Sequence, residues 1–267
     1  MSTDFAFSRL LDKQSEPIQL TTPVAVSELP TPALVLERSI LQRNIESMRD
    51  FLAAKGKGFR PHSKTHKCPV IAKLQMEAGA VGVCAAKLSE AVALINSGLN
   101  EILITSPIVS KSKLEILNKV LPIGSDHDIN IVIDSMIGLE GLLECLDTDK
   151  FIGVLVDLDI SMARTGLRSD EELVSLLEKI QKTDRIKFKG IQHYAGHLMH
   201  LDNYAKRKEK SLKAWQTLED KFLTLERSGF SCEIVTGGGT GSYDIDVHVE
   251  RLTDLQVGSY IFMDEEY

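Results

Sequence analysis

The stretch Gly58-Phe-Arg-Pro-His-Ser-Lys-Thr-His-Lys67 begins as a strand and ends in a cluster of basic groups, at the place where the first core strand of a strand/helix series ends. Read as a strand it has a period of two, which puts Arg60, His62 and Lys64 on one face. Three basic side chains converging at a strand's carboxyl end make a poor core and a good active site. A lysine there can form a Schiff base with a carbonyl compound. The competing reading is a lysine whose stem lies along a basic loop with its ammonium in water.

Outward from that stretch the chain alternates. A short strand, Ala33–Glu37, precedes an amphipathic helix over about 39–54, with Leu41, Ile45, Met48 and Leu52 at helical spacing. Strand-like runs follow at 59–63, 81–85, 101–105, 129–134, 151–158, 186–194, 232–236 and 252–260. Helical patterns lie between most of them, at 69–78, 89–97, 111–120 and 170–182. The longest covers about 202–228, with Leu212, Trp215, Leu218, Phe222 and Leu225 on one face. Eight strands separated by crossovers imply a parallel sheet, and at 267 residues a closed (β/α)8 TIM-like barrel is the economical solution. Periodicity does not show closure, so an open doubly wound sheet is the alternative. No linker composition marks an internal boundary. The expected organisation is an arm over 1–30 and one barrel domain over 31–267.

Composition narrows the function. A chain 43% hydrophobic can bury a sizeable core, and a formal net charge of -7 argues against nucleic acid or a membrane surface as partner. A small molecule, or a second copy of the chain in a homodimer, is left. The N-terminus lacks a basic start followed by an apolar run, and no stretch has the length of a membrane span, so a soluble, cytoplasmic location is expected. The four cysteines are scattered with no CxxC pair, which gives metal binding by cysteine little support and suits a reducing compartment.

In a barrel, function collects at the carboxyl ends of the strands, and several ends here are polar. After the fifth strand comes Asp157-Leu-Asp-Ile-Ser-Met-Ala-Arg-Thr-Gly166, with Asp157 and Asp159 on one face and Arg164 in the loop. After the sixth comes Gln192-His-Tyr-Ala-Gly-His-Leu-Met-His200, where Gln192 and Tyr194 share a face and His193 points the other way. The seventh ends in Thr236-Gly-Gly-Gly-Thr-Gly-Ser242. Successive glycines there let backbone N–H groups approach an anion, and Thr240 adds a hydroxyl. The spacing fails the dinucleotide fingerprint and no P-loop lysine follows, so a nucleotide is not indicated. Gly258-Ser259 after the eighth strand offers a second small donor site. A phosphate compound facing a lysine fits two chemistries: pyridoxal phosphate, or a phosphosugar cleaved by lysine attack on its own carbonyl.

Arg60 to Lys67, Asp157 to Gly166, Gly190 to His197, Thr236 to Ser242 and Leu255 to Asp264 together resemble the motifs of D-threonine aldolase. They are also similar to those of its relatives, eukaryotic D-serine dehydratase and 3-hydroxyaspartate aldolase or dehydratase. The resemblance runs from about Thr31 to the end. It implies a pyridoxal-phosphate lyase of the alanine-racemase fold type, acting on D-3-hydroxyamino acids through a Lys64 Schiff base. By it, Gly239, Thr240, Gly258 and Ser259 would bind cofactor phosphate, Arg164 and Tyr194 would lie around the ring, and Tyr267 would be a further contact. General bases by position are Lys64 first, then His62, His193 and His197.

The resemblance also implies a C-terminal β-domain bearing a His plus Asp or Cys metal pair that assists the β-hydroxyl. The chain stops at Tyr267, so the expectation is that these divalent-metal ligands are absent and that no metal site exists. Ala33–Glu37, which pairs with that domain in the family, would then expose an edge. In Cys84-Ala-Ala-Lys-Leu-Ser-Glu90, alanine stands where some aldolases have a cofactor-contacting glutamine. The alternative expectation is a truncated cofactor-binding barrel with little turnover; a racemase-like activity ranks third.

Overall fold

In the computed structural model, which describes residues 23–29, 31–125, 127–159 and 162–263, each of the eight runs from Gly58 onward joins one parallel sheet. The strands are β1 (Gly58–Phe59), β2 (Val83–Ala85), β3 (Glu101–Ile104), β4 (Asp128–Ile133), β5 (Ile152–Asp157), β6 (Ile186–His193), β7 (Ile234–Gly237) and β8 (Asp254–Leu255). They are ordered β1-β8-β7-β6-β5-β4-β3-β2. Closure, which periodicity left open, comes from β1 and β2. The Val81 N–H donates to the Phe59 carbonyl and the Cys84 N–H to the Pro61 carbonyl, both at 2.8 Å, and His62 forms a parallel bridge with Cys84. The sheet is therefore a barrel without free edges, as a pattern of crossovers of this length favours.

The helices α1 (Arg38–Ala53), α2 (Pro69–Glu77), α3 (Leu88–Asn96), α4 (Lys111–Val120), α5 (Met136–Cys145), α6 (Asp170–Gln181), α7 (Tyr204–Thr217), α8 (Glu219–Arg227) and the single turn α9 (Tyr243–Asp246) connect the strands. Their starts follow local chemistry. Pro69 opens α2, and the Ser169 side chain accepts from the Glu172 N–H at the start of α6. The main core lies between helices and sheet, and α1 contributes Leu41, Ile45, Met48 and Leu52 to it as its spacing predicts. A second, smaller core of Cys84, Leu103, Val132, Leu155 and Ile234 fills the barrel lumen. Each fully buried side chain of this size contributes about 1.5–3 kcal/mol.

Several expectations are corrected. Ala33–Glu37 forms no strand: it is extended and unpaired, with Leu34 fully exposed, because a sheet closed on itself offers the segment no edge. The long helix over 202–228 breaks at Leu218 into α7 and α8, where the Thr217 hydroxyl donates back to the Lys213 carbonyl at 2.9 Å and bends the backbone. Helix α5 escaped the reading because Gly138 and Gly141 dilute its pattern. Arg60 does not reach the barrel mouth. It turns into the lumen and pairs with Asp254 at 2.9 Å. Most of the arm, and Tyr267, lie outside the described residues. Among the described residues no helix is long and apolar enough to cross a membrane.

Candidate active site at the barrel mouth

The ladder between β1 and β8 runs on past both strands until the His62 N–H donates to the Val257 carbonyl at 2.8 Å, and there the chain turns. The 3-10 turn Ser63–Thr65 carries Lys64, so the lysine stands on a turn rather than on the strand itself. His62 holds that turn. The Thr105 hydroxyl donates to the Ala85 carbonyl, which leaves its oxygen to accept from His62 Nε2–H at 3.2 Å. His62 Nδ1 then accepts the Lys64 backbone N–H at 3.4 Å, a tautomer assigned from this network. Burial pushes the His62 pKa well below the ordinary histidine value, and Lys64 and His66 act in the same direction, so the imidazole is neutral. Burial likewise lowers the pKa of Lys64, with Arg164 adding to the effect. The amine is thereby closer to its nucleophilic form than a surface lysine.

Lys64 opens into a cavity at the carboxyl ends of the strands. Across it lie Gly239 and Thr240 from the loop after β7, and Gly258 and Ser259 after β8. Thr240 Oγ1 ties the two loops together by accepting the N–H groups of Gly258 (3.2 Å) and Tyr260 (3.0 Å). The N–H groups of Gly239, Thr240 and Ser259 find no acceptor among the described residues. Donors of this kind beside glycine suit a phosphate. Gly238 makes the loop possible, because it has φ +65° and a methyl group there would stand 2.6 Å from Asp246 Oδ2. Between amine and cradle sits Tyr194, whose ring centroid is 5.4 Å from Lys64 Nζ and 5.3 Å from Arg164 Cζ.

The cavity thus brings together Lys64, His62, Arg164, Tyr194, Gly239, Thr240, Gly258 and Ser259. His193 is not among its lining residues. A bulge between Val154 and Leu155 skips Lys189 in the pairing with β6, and beyond it Gln192 lines the cavity while His193 does not. The His193 ring packs edge-on to Trp215 at 5.2 Å, under α7, with Nδ1 against the Leu158 carbonyl. The structure does not bring it to the cavity with Lys64. His197 and His200 are exposed and also lie outside the lining. The aspartates after β5 build the loop instead of the chemistry. Asp157 accepts from Thr165 (2.8 Å) and Gln192 (3.0 Å), and Asp159 accepts from Met162 N–H (2.8 Å) and Arg168 (2.7 Å).

Residue-type reasoning missed Thr105, Ser106, Met199 and Gln256 as lining residues, although each follows a strand end where polar or adaptable groups gather. Ala86, one of the two alanines in the Cys84–Glu90 stretch, lines the cavity as well. Among the described residues no cluster of three or more His, Cys, Asp or Glu is placed to hold a metal ion.

Beneath the glycine loop, Asp246 is almost fully buried and accepts from Ser211 (2.6 Å) and Ser242 (2.5 Å), which joins α7 to the loop. Burial raises its pKa from 3.8 to about 6 despite those hydrogen bonds. Below about pH 4 both folded and unfolded states are protonated. Between about pH 4 and 6 the unfolded chain ionises first, so this group lowers stability as pH rises, by up to about 3 kcal/mol. Asp246→Asn is expected to flatten that part of the pH profile, read from urea midpoints at pH 4 and 7. Equal slopes in variant and wild type would remove Asp246 as its source.

Residues 37–266 match the family model described as the alanine racemase N-terminal domain. The chain is 33% identical to a 3-hydroxy-D-aspartate aldolase of Paracoccus denitrificans over 90% of its own length and 62% of that protein. It is 32% identical to a D-threonine aldolase of an Arthrobacter species, over 94% of its own length and 65% of that protein. The crystal structure of D-threonine aldolase from Filomicrobium marinum superposes with a TM-score of 0.84 at 34% identity, covering 91% of this chain and 65% of that one. The chain therefore spans a little under two thirds of the length of the relatives it matches.

Proposed function

The chain belongs to the alanine racemase N-terminal domain family, and from that premise we propose that it is the pyridoxal-phosphate-binding barrel of a lyase acting on D-3-hydroxyamino acids. The observation that carries this reading is the placement of the Lys64 amine and of the backbone N–H groups of Gly239, Thr240 and Ser259 in one cavity, with an aromatic ring between them. A compound with an aldehyde at one end, a phosphate at the other and a flat ring between has that same order of groups. The relatives named above, aldolases of 3-hydroxy-D-aspartate and D-threonine, support the substrate class.

When bound, pyridoxal phosphate supplies an electron sink for negative charge that develops on the substrate's α-carbon. Gly239, Thr240, Gly258 and Ser259 would hold its phosphate, and Lys64 Nζ would face its aldehyde. Tyr194 and Arg164 orient the ring, with the guanidinium adding positive charge to a cavity that takes anions. Lys64 Nζ would be placed to accept a proton from a D-amino acid bound in the cavity. In aldol cleavage that proton leaves the β-hydroxyl; in dehydration it leaves Cα. Burial favours the neutral amine needed for either transfer. His62, with both ring nitrogens engaged, keeps the turn beneath Lys64 in place and is a positioning residue.

The test is a titration of the purified chain with pyridoxal phosphate, followed by borohydride reduction and peptide mass analysis. A visible band that disappears in Lys64→Ala, a reduced adduct on the Lys64 peptide, and a spectral change with D-threonine or D-serine but not with their L-forms are expected. A Lys64-dependent band indifferent to every D-amino acid would identify a cofactor-binding barrel without turnover. No Lys64-dependent band would sink the assignment.

A further inference from the structure

Helix α2 buries Ile71 and Ala72 as an amphipathic helix should, yet the third residue of its buried stripe is the amide Gln75, 1% exposed. A buried amide is costly unless both ends are bonded, and here both are. Gln75 Oε1 lies 3.2 Å from His66 Nε2, and Gln75 Nε2 donates to the Tyr260 hydroxyl at 2.7 Å. The directions are fixed by the neighbours. His66 Nδ1 accepts the Cys68 N–H at 3.0 Å, so Nε2 carries the proton, and burial lowers the His66 pKa to about 4, so the ring is neutral.

The two partners belong to opposite halves of the site. The His66 N–H closes the turn that carries Lys64, donating to the Ser63 carbonyl at 3.1 Å. Tyr260 sits in the turn Ser259–Ile261, and its N–H is one of the two held by Thr240 Oγ1. The β1–β8 ladder stops at His62 and Val257. Beyond it the lysine turn and the donor cradle already touch, since a methyl group on Gly258 would stand 2.8 Å from Thr65 Oγ1. We infer that Gln75 is a positioning residue whose bridge from His66 to Tyr260 fixes the separation between the Lys64 amine and the phosphate donor at Ser259. The inference rests on the cofactor reading above. Gln75 touches neither end of the ligand and sets the distance that both ends must match at once, where a small misfit is costly.

Ligands that engage one end or both separate this role from plain support of the fold. Affinity for pyridoxal phosphate is measured for wild type, Gln75→Leu, Tyr260→Phe, the double variant and Gln75→Glu. Trapping of pyridoxal, which lacks the phosphate, by borohydride at Lys64 is followed in parallel. Each single variant is expected to weaken pyridoxal phosphate by about tenfold, the scale of the Gln75–Tyr260 hydrogen bond that both remove, with pyridoxal trapping unchanged. The double variant should be no weaker than either single one, because one bridge is cut in both. Gln75→Glu should stay near wild type, since a carboxyl kept protonated by burial can accept from His66 and donate to the Tyr260 hydroxyl as the amide does. Wild-type affinity in both single variants, additive losses in the double one, or an equal loss for pyridoxal would each overturn the bridge. Should Gln75→Leu fail to fold, Tyr260→Phe decides alone, because it keeps the edge contact with Phe59. A wild-type chain without Lys64-dependent binding overturns the cofactor reading and the bridge with it, whereas normal wild-type binding with unaffected variants overturns the bridge alone.

Discussion

Gly190→Ala is expected to leave no folded protein at temperatures where the wild type is stable. Gly190 adopts φ +144°, and a methyl group there would stand 1.8 Å from the Ile234 carbonyl oxygen and 2.8 Å from its carbon. Those atoms are backbone of β7, so no rotamer change relieves the overlap. The strand pair must separate or slide, and Gly190 pairs with Ile234 while Gln192 pairs with Thr236 across that seam. A slide of one residue turns Gln192 away from the cavity and exchanges its place with His193. The expected cost exceeds about 4 kcal/mol, a large part of the 5–15 kcal/mol typical of a domain. Gly229→Ala is the control. Its φ is +81° with nothing within 4 Å of the added carbon, so only the left-handed backbone is penalised, at about 1–2 kcal/mol. Urea unfolding followed by circular dichroism reads both variants. A Gly190→Ala chain that unfolds at the wild-type urea concentration would contradict the described packing of β6 on β7.

The same seam shows what a sequence displays and what it hides. Val154, Leu155 and Val156 declare a strand buried on both faces, as apolar runs in parallel sheets do, and the barrel follows from repetition of such runs with crossovers between them. The glycines after β7 declare a place where backbone must approach something closely. Lys64 declares itself by sitting where a strand ends. Period-two counting also sets His193 opposite Gln192 and Tyr194, and the role given to His193 set that geometry aside. What stayed hidden depends on partners far along the chain. Nothing local to Arg60 announces Asp254, which lies 194 positions away, or that the pair would take the guanidinium into the lumen. Gln75 reads as an ordinary polar position of a helix until Tyr260 is brought beside it, 185 residues on. The bulge at Lys189 has no signature beyond one glycine. Local chemistry writes elements and site residues into the sequence, whereas pairings inside the barrel exist only once it has closed.

Arg60 and Asp254 offer the second large effect. Their side chains are each 4% exposed, with Arg60 Nε donating to Asp254 Oδ1 at 2.9 Å and Nη2 to Oδ2 at 3.4 Å. In so dry a place neither charge tolerates the loss of the other, so Arg60→Met and Asp254→Leu are each expected to destabilise the chain by about 3–5 kcal/mol. The double variant removes both charges and fills the lumen with apolar atoms, so it should be less damaged than either single one. It will not recover fully, because the Thr236 hydroxyl donates to Asp254 at 2.5 Å and loses that acceptor. Thr236 in turn accepts from Gln256 Nε2 at 3.3 Å, and the same amide donates to Gln192 at 3.0 Å. The pair is thus the lower end of a hydrogen-bond chain whose upper end is the cavity floor. Urea midpoints of the four proteins close a thermodynamic cycle, and the sum of the single losses should exceed the double loss by at least about 2 kcal/mol. Additive losses would mean that the two charges are satisfied separately. The polar floor beneath the Lys64 cavity would then owe its order to the strands alone, without the ion pair.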